Sequence, residues 1–244
     1  MSNFATDPMI EKIRKILKKA ESAARIGNQE EADSANEMAA KLIAKYGVDQ
    51  ALLASKGEVQ DVLSTLYIEL TGNFVADKRT LLFSITEGLG AKSIFIKRRR
   101  PGTVQSYSYI AHIFAFESDL RRIEFLYDML VNQMLVGAAV AKVPTYESAR
   151  SYRKSWMYGF ADAIRNRLQR NETKAAVEAG AGTDLVLFDR KTAVEARFEF
   201  AYPSKDRVSL TRRLSGSGRS DGYAEGQRAN LGNNVGGSRR ALVG

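Results

Sequence analysis

"DPMIEKIRKILKKAESAARIGNQEEADSANEMAAKLIAKYGVDQALLA", residues 7–54, decides how the chain begins to fold. Ile13, Ile16, Leu17, Ala20 and Ala24 recur at helical spacing in its first half. Ala32, Ala35, Ala39, Leu42, Ile43 and Tyr46 do so in its second, so each half predicts an amphipathic helix. Asp7 followed by Pro8 is a helix start. Gly27 is a helix stop, and Asn28 with Glu31 forms a capping-box start for the second helix. Gly47 reads as a left-handed stop, after which Asp49 caps a short third helix. The prediction is a helical hairpin with small residues at its seam. Lys12, Arg14, Lys15, Lys18, Lys19 and Arg25 face Glu30, Glu31, Asp33 and Glu37 on the next helix, and opposite charge steers the two together. A lysine-rich face without Asn, Gln, Ser or Thr among its cations contacts phosphates without reading base edges.

Outward from the hairpin, "VLSTLYIEL" (62–70) reads as a strand and "DKRTLLFSITEGLG" (77–90) as a helix. "AKSIFIKR" (91–98) and "VQSYSYIAHIFAF" (104–116) are two further strands around a Pro101-Gly102 turn. Lys97, Arg98, Arg99 and Arg100 crowd the tip of this hairpin. They either clasp an anionic partner or keep the turn soluble. His112, the one histidine, sits among apolar neighbours and reads as a satisfied core residue.

Residues 117–142 are the most apolar helix, ended by Pro144. Residues 146–180 form a long helix with a stripe at Tyr152, Trp156, Phe160, Ile164 and Leu168 and cations at Arg150, Arg153, Lys154, Arg165, Arg167 and Arg170. Its length leaves part of it to dock a partner helix. "TDLVLFD" (183–189) reads as a short strand and "RKTAVEARFEFA" (190–201) as a helix. From Pro203 the chain turns glycine-rich and basic, which predicts a poorly ordered tail. Gly216, Gly218 and Gly222 follow no strand, so a phosphate-cradling loop is rejected. The fold class is α+β: a helical hairpin (1–57), a body of a small mixed sheet with long packing helices (58–202), and a basic Gly/Arg-rich tail (203–244).

With no cysteine, disulfides, zinc fingers and thiol nucleophiles are excluded. A single histidine leaves no second one for a His-based metal site. The formal net charge of +9 favours polyanions without setting specificity. No signal-peptide pattern and no apolar run of spanning length is read, so a soluble intracellular protein is expected. Glu69, Glu117, Asp119, Asp184 and Asp189, at ends of predicted strands, are the carboxylates a magnesium-dependent nuclease would use. No fixed spacing ties them together, and Asp119 also suits a helix cap.

"KIRKILKKAES" (12–22), the Asn28 start and "EADSANEMAAKLIAKYGVD" (31–49) together resemble the N-terminal module of a bacterial and phage family of unassigned function. "IAHIFAFESDLRRIEFLYDMLVNQM" (110–134) and "SYRKSWMYGFADAIRNRL" (151–168) resemble its actinobacterial members. Length and opening module resemble the recombination directionality factors of Streptomyces temperate phages, which partner large serine integrases. That resemblance implies a non-enzymatic protein without cofactor or metal. It implies binding to the integrase, activation of excision between hybrid left and right attachment sites, and inhibition of integration, with any DNA contact indirect or nonspecific. Nothing in it assigns contact residues. Tyr152, Trp156, Arg98, Arg99 and Arg100 are the expected partner-binding set, and a basic DNA-binding accessory protein of phage replication or regulation is the competing reading.

Overall fold

In the computed structural model, residues 8–99, 107–203 and 214–231 are described, apart from the side chains at positions 10, 14, 17, 20, 21, 24, 25 and 29. Asp7, Arg100, the Pro101-Gly102 turn and most of the tail arginines lie outside these residues.

The opening hairpin forms from α1 (Pro8–Arg25) and α2 (Gln29–Ser55). Gly27, at φ +81°, makes the turn. Asn28 caps α2 by accepting from the Glu31 N–H at 3.2 Å, and its amide donates back to the Glu31 carboxylate at 3.0 Å. Lys19 and Glu31 pair across the two helices, and Ile13, Ala32, Ala39 and Ile43 are buried at or near the seam.

The expected stop at Gly47 is absent: α2 runs through it without a break. Gly47 is small for a packing reason. A Cβ there would sit on the guanidinium of buried Arg122, 2.5 Å from its Cζ.

The body comprises β1 (Leu63–Leu70), α3 (Val75–Gly88), β2 (Lys92–Arg99), β3 (Tyr107–Phe116) and α4 (Glu117–Val140), followed by α5 (Ala149–Ala179) and α6 (Thr183–Ala201). The sheet has the order β1-β3-β2 and is antiparallel throughout, not mixed. Leu66 pairs with Ile113 and Phe95 with Ala111. Alternation sends Tyr109, Ala111, Ile113 and Ala115 into the main core with Leu126, Leu130, Trp156 and Ile164. On composition α4 is long and apolar enough to cross a bilayer. Here Leu120, Ile123, Leu126, Leu130 and Met134 are buried in the core instead.

The strand expected at residues 183–189 is the first half of α6. A short apolar run fits either period, and packing decides it. Val194 and Phe198 of α6 cover Phe114 on the outer face of the sheet.

Within the stretch expected to be a poorly ordered tail, one segment is a packed helix. Arg219–Arg228 form α7, which lies along α5. Gly218, Gly222 and Gly226 recur every fourth residue and face Tyr152, Trp156, Phe160 and Ala163. A Cβ on Gly222 would stand 2.6 Å from the Trp156 carbonyl carbon and 2.9 Å from its Cα. The glycines are what let the two helices approach this closely.

Candidate partner-binding surfaces

The long-helix pair Tyr152 and Trp156 is not presented to a partner. The two are 3% and 4% exposed and lie under α7. Tyr152 donates its hydroxyl to Asp221. That bond, with burial and the carboxylate charge, pushes the phenol up to about 12. Trp156 stacks on Phe160. The partner for which this stripe is built is the chain's own C-terminal helix.

The arginines of α5 are turned to the same purpose. Arg167 donates to the carbonyls of Gly226 and Ala229 at 2.9 and 2.7 Å, and burial pulls its pKa down to about 10. Arg170 reaches Gln227 at 2.7 Å. Asp162 joins Arg165 and Arg219. Beyond α7, Gln133 of α4 holds the Asn230 backbone through both its amide atoms, at 2.6 and 2.9 Å.

A buried charge network fixes α6. Asp61 accepts from the backbone N–H of Ser118 at 3.0 Å and its hydroxyl at 2.7 Å. It therefore fills the N-terminal cap of α4, the role expected of Asp119. Arg190 of α6 lies 2.8 Å from Asp61 and 3.3 Å from Asp119, with its guanidinium 3.7 Å from the Phe116 ring centroid. Asp119 also pairs at 2.8 Å with Arg122, which is 1% exposed and bonds Glu172 of α5. Burial works against the Arg122 charge, but Glu172 and Asp119 outweigh it and raise its pKa. Glu172 is pushed up to about 7 by burial, against the pull of Arg122. No sequence periodicity marks this network, because its members come from four separate segments.

Of the basic cluster, Lys97, Arg98 and Arg99 are described, and all three are exposed on the last turns of edge strand β2. Lys97 Nζ lies 4.3 Å over the Tyr107 ring, and Arg79 of α3 lies 4.9 Å over the ring of Tyr109, the register partner of Lys97. His112 lies on the outer sheet face, half-buried, edge-on to Tyr67 and 2.6 Å from the Tyr202 hydroxyl. Burial and then the charge of Arg98 lower its pKa. It is satisfied by a hydrogen bond, at a sheet surface rather than in the main core.

The five nuclease carboxylates are not assembled. Glu69, Asp184 and Asp189 are exposed, Glu117 pairs with Arg121, and Asp119 belongs to the buried network. Among the described residues no group of three or more His, Asp or Glu side chains is placed to hold a metal ion.

A surface without a sequence expectation lies on α6. Leu185, Phe188 and Phe200 are 64%, 65% and 82% exposed, opposite the face that packs on the sheet. Their spacing with Thr192 and Ala196 was available as a signal. Reading 183–189 as a strand concealed it.

Residues 9–50 are similar to a family described as "Protein of unknown function (DUF2786)". No curated protein and no solved structure matches the chain.

Proposed function

We propose that the protein is a non-enzymatic accessory factor that acts in the host cytoplasm by binding another protein. Its resemblance to recombination directionality factors names that partner as a phage large serine integrase. The observation that carries the reading is the division of its cations. Arg153, Arg165, Arg167 and Arg170 of α5 and Arg190 of α6 bond within the chain, whereas Lys97, Arg98 and Arg99 stand exposed along one sheet edge. Such an edge fits an anionic protein surface and steers its approach.

The action is a shift between integrase arrangements. Binding the excision-competent arrangement about 100-fold more tightly than the integrative one supplies about 2.7 kcal/mol, enough to exchange the favoured pair of sites. Gel shifts of integrase on hybrid attachment sites test the contact. A further retardation on adding this protein supports it, and an unchanged integrase–DNA band refutes it.

The same exposed cations favour a second reading, direct binding to DNA phosphates. Three phosphate contacts would give a log–log salt slope of roughly −3 on bare duplex. Retardation of bare DNA with that slope, and without integrase, would favour this reading instead.

A further inference from the structure

We infer that the outer edge of β2 takes up an acidic, extended segment of the partner protein as an additional strand of the sheet. The inference rests on the reading of this edge as the partner contact and adds how the contact is made. In the order β1-β3-β2 one side of β2 pairs with β3, and among the described residues no strand lies on its other side. Backbone N–H and C=O groups along such a side are a template for another chain. The first half of β2 is anchored on both faces. Ile94 packs against the cluster of Phe114, Val194 and Phe198, and the rings of Phe95 and Phe83 meet edge-on, 6.5 Å apart. The exposed half, Ile96–Arg99, continues from these anchors paired to β3. A template already in the extended form adds a strand at lower ordering cost.

Charge decides what kind of strand fits. The Lys and Arg residues of the three strands, Lys92, Lys97, Arg98 and Arg99, all lie on β2. Their one carboxylate, Glu69, lies on β1, the opposite edge. Lys92 is taken by Glu195, which leaves the run Lys97–Arg99. Side chains alternate across a sheet, so Arg98 flanks an added strand on one face, and Lys97 and Arg99 flank it on the other. Lys97 is steadied over the Tyr107 ring. Successive acidic residues on the added strand would each meet one of these cations, and apolar residues beside them would meet Ile96 and Phe95. A second copy does not fit this edge. Its β2 brings like charges together, and its β1 offers Glu69 alone.

Fluorescence anisotropy of the full chain with a labelled peptide, Glu-Glu-Glu-Val-Val-Glu-Glu-Glu, tests this at low salt. The probe reads alike in both directions, so either strand polarity presents the same pattern. Its control is the same peptide N-methylated at every amide, which keeps each charge and loses each N–H donor. The expected result is saturable binding of the probe and binding on the order of 100-fold weaker by the control, from the loss of a few ladder bonds. Joint Lys97→Glu and Arg98→Glu substitution should weaken the probe on the order of tenfold, with circular dichroism checking that the variant stays folded. Equal binding of the two peptides would overturn the inference and leave the integrase reading standing, since charge alone would then make the contact. No binding of the probe would overturn it as well. Preference of this edge for bare duplex over the probe would overturn it in favour of the phosphate contact. A bound probe sensitive to N-methylation, beside an unchanged integrase–DNA band, would refute the named partner and keep the strand addition.

Discussion

Gly222→Ala separates a docked C-terminal helix from a glycine-rich tail that happens to be helical. In a free helix the change is favourable by about 1 kcal/mol, because alanine is the better helix former. In this structure the new methyl would stand 2.6 Å from the Trp156 carbonyl carbon. Ordinary carbon contacts lie at about 3.5–4.0 Å, so the helices must part by about 1 Å at the crossing. Trp156 lies within the hydrogen-bonded ladder of α5 and cannot yield alone. Separation strains the Tyr152–Asp221 bond, the Asn166–Tyr223 bond and the donation from Arg167 to Gly226. At about 1 kcal/mol for each bond, the loss is about 2–4 kcal/mol, which outweighs the propensity gain. Trp156 is the only tryptophan of the chain, so its fluorescence reports the site directly. Urea denaturation of the variant should show a lower midpoint and a red-shifted native emission. A variant as stable as the parent, with unshifted emission, would refute α7 docking.

Gly47→Ala should also destabilise, by about 3 kcal/mol, because its methyl displaces Arg122 from Asp119 and Glu172. Adding Arg122→Met should recover part of that loss in a double-mutant cycle read by thermal unfolding. Glu172 gives a pH signature. Its folded pKa of about 7 exceeds its ordinary value of 4.5, so between these values the folded chain holds a proton that the unfolded chain releases. Stability is then full below about pH 4.5 and declines as pH rises toward 7. The slope is shallow because a quarter of the side chain meets solvent. Urea midpoints of Glu172→Gln between pH 5 and 8 should lack that slope. Reversing Lys97 and Arg98 to Glu should leave stability within about 0.5 kcal/mol and weaken integrase binding, as measured by pull-down at low salt. Equal capture of variant and parent would remove the β2 edge from the interface.

Much of the fold was legible because its signals are local. Asn28 and Glu31 cap one another, Gly27 turns the hairpin, and the strand read over 104–116 is the central strand at 107–116. The failures share one cause: a residue answering to a distant partner. Gly47 is small because of Arg122, and the tail glycines are there for Trp156 and Phe160. Residues 183–189 are helical because α6 must lay Val194 and Phe198 on Phe114. Of the expected partner-binding set, Arg98 and Arg99 are exposed on β2. Tyr152 and Trp156 are buried under α7, and a helical stripe carries no mark of whether it meets the same chain or another. Arg100 lies outside the described residues.

The central proposal is directional control of an integrase. The most direct test is recombination in vitro by a cognate large serine integrase, with and without this protein, on paired substrates. With the protein present, hybrid left and right sites should recombine and the phage–bacterial pair should be inhibited. Unchanged yields on both pairs, with binding-competent integrase and folded protein, would contradict the account.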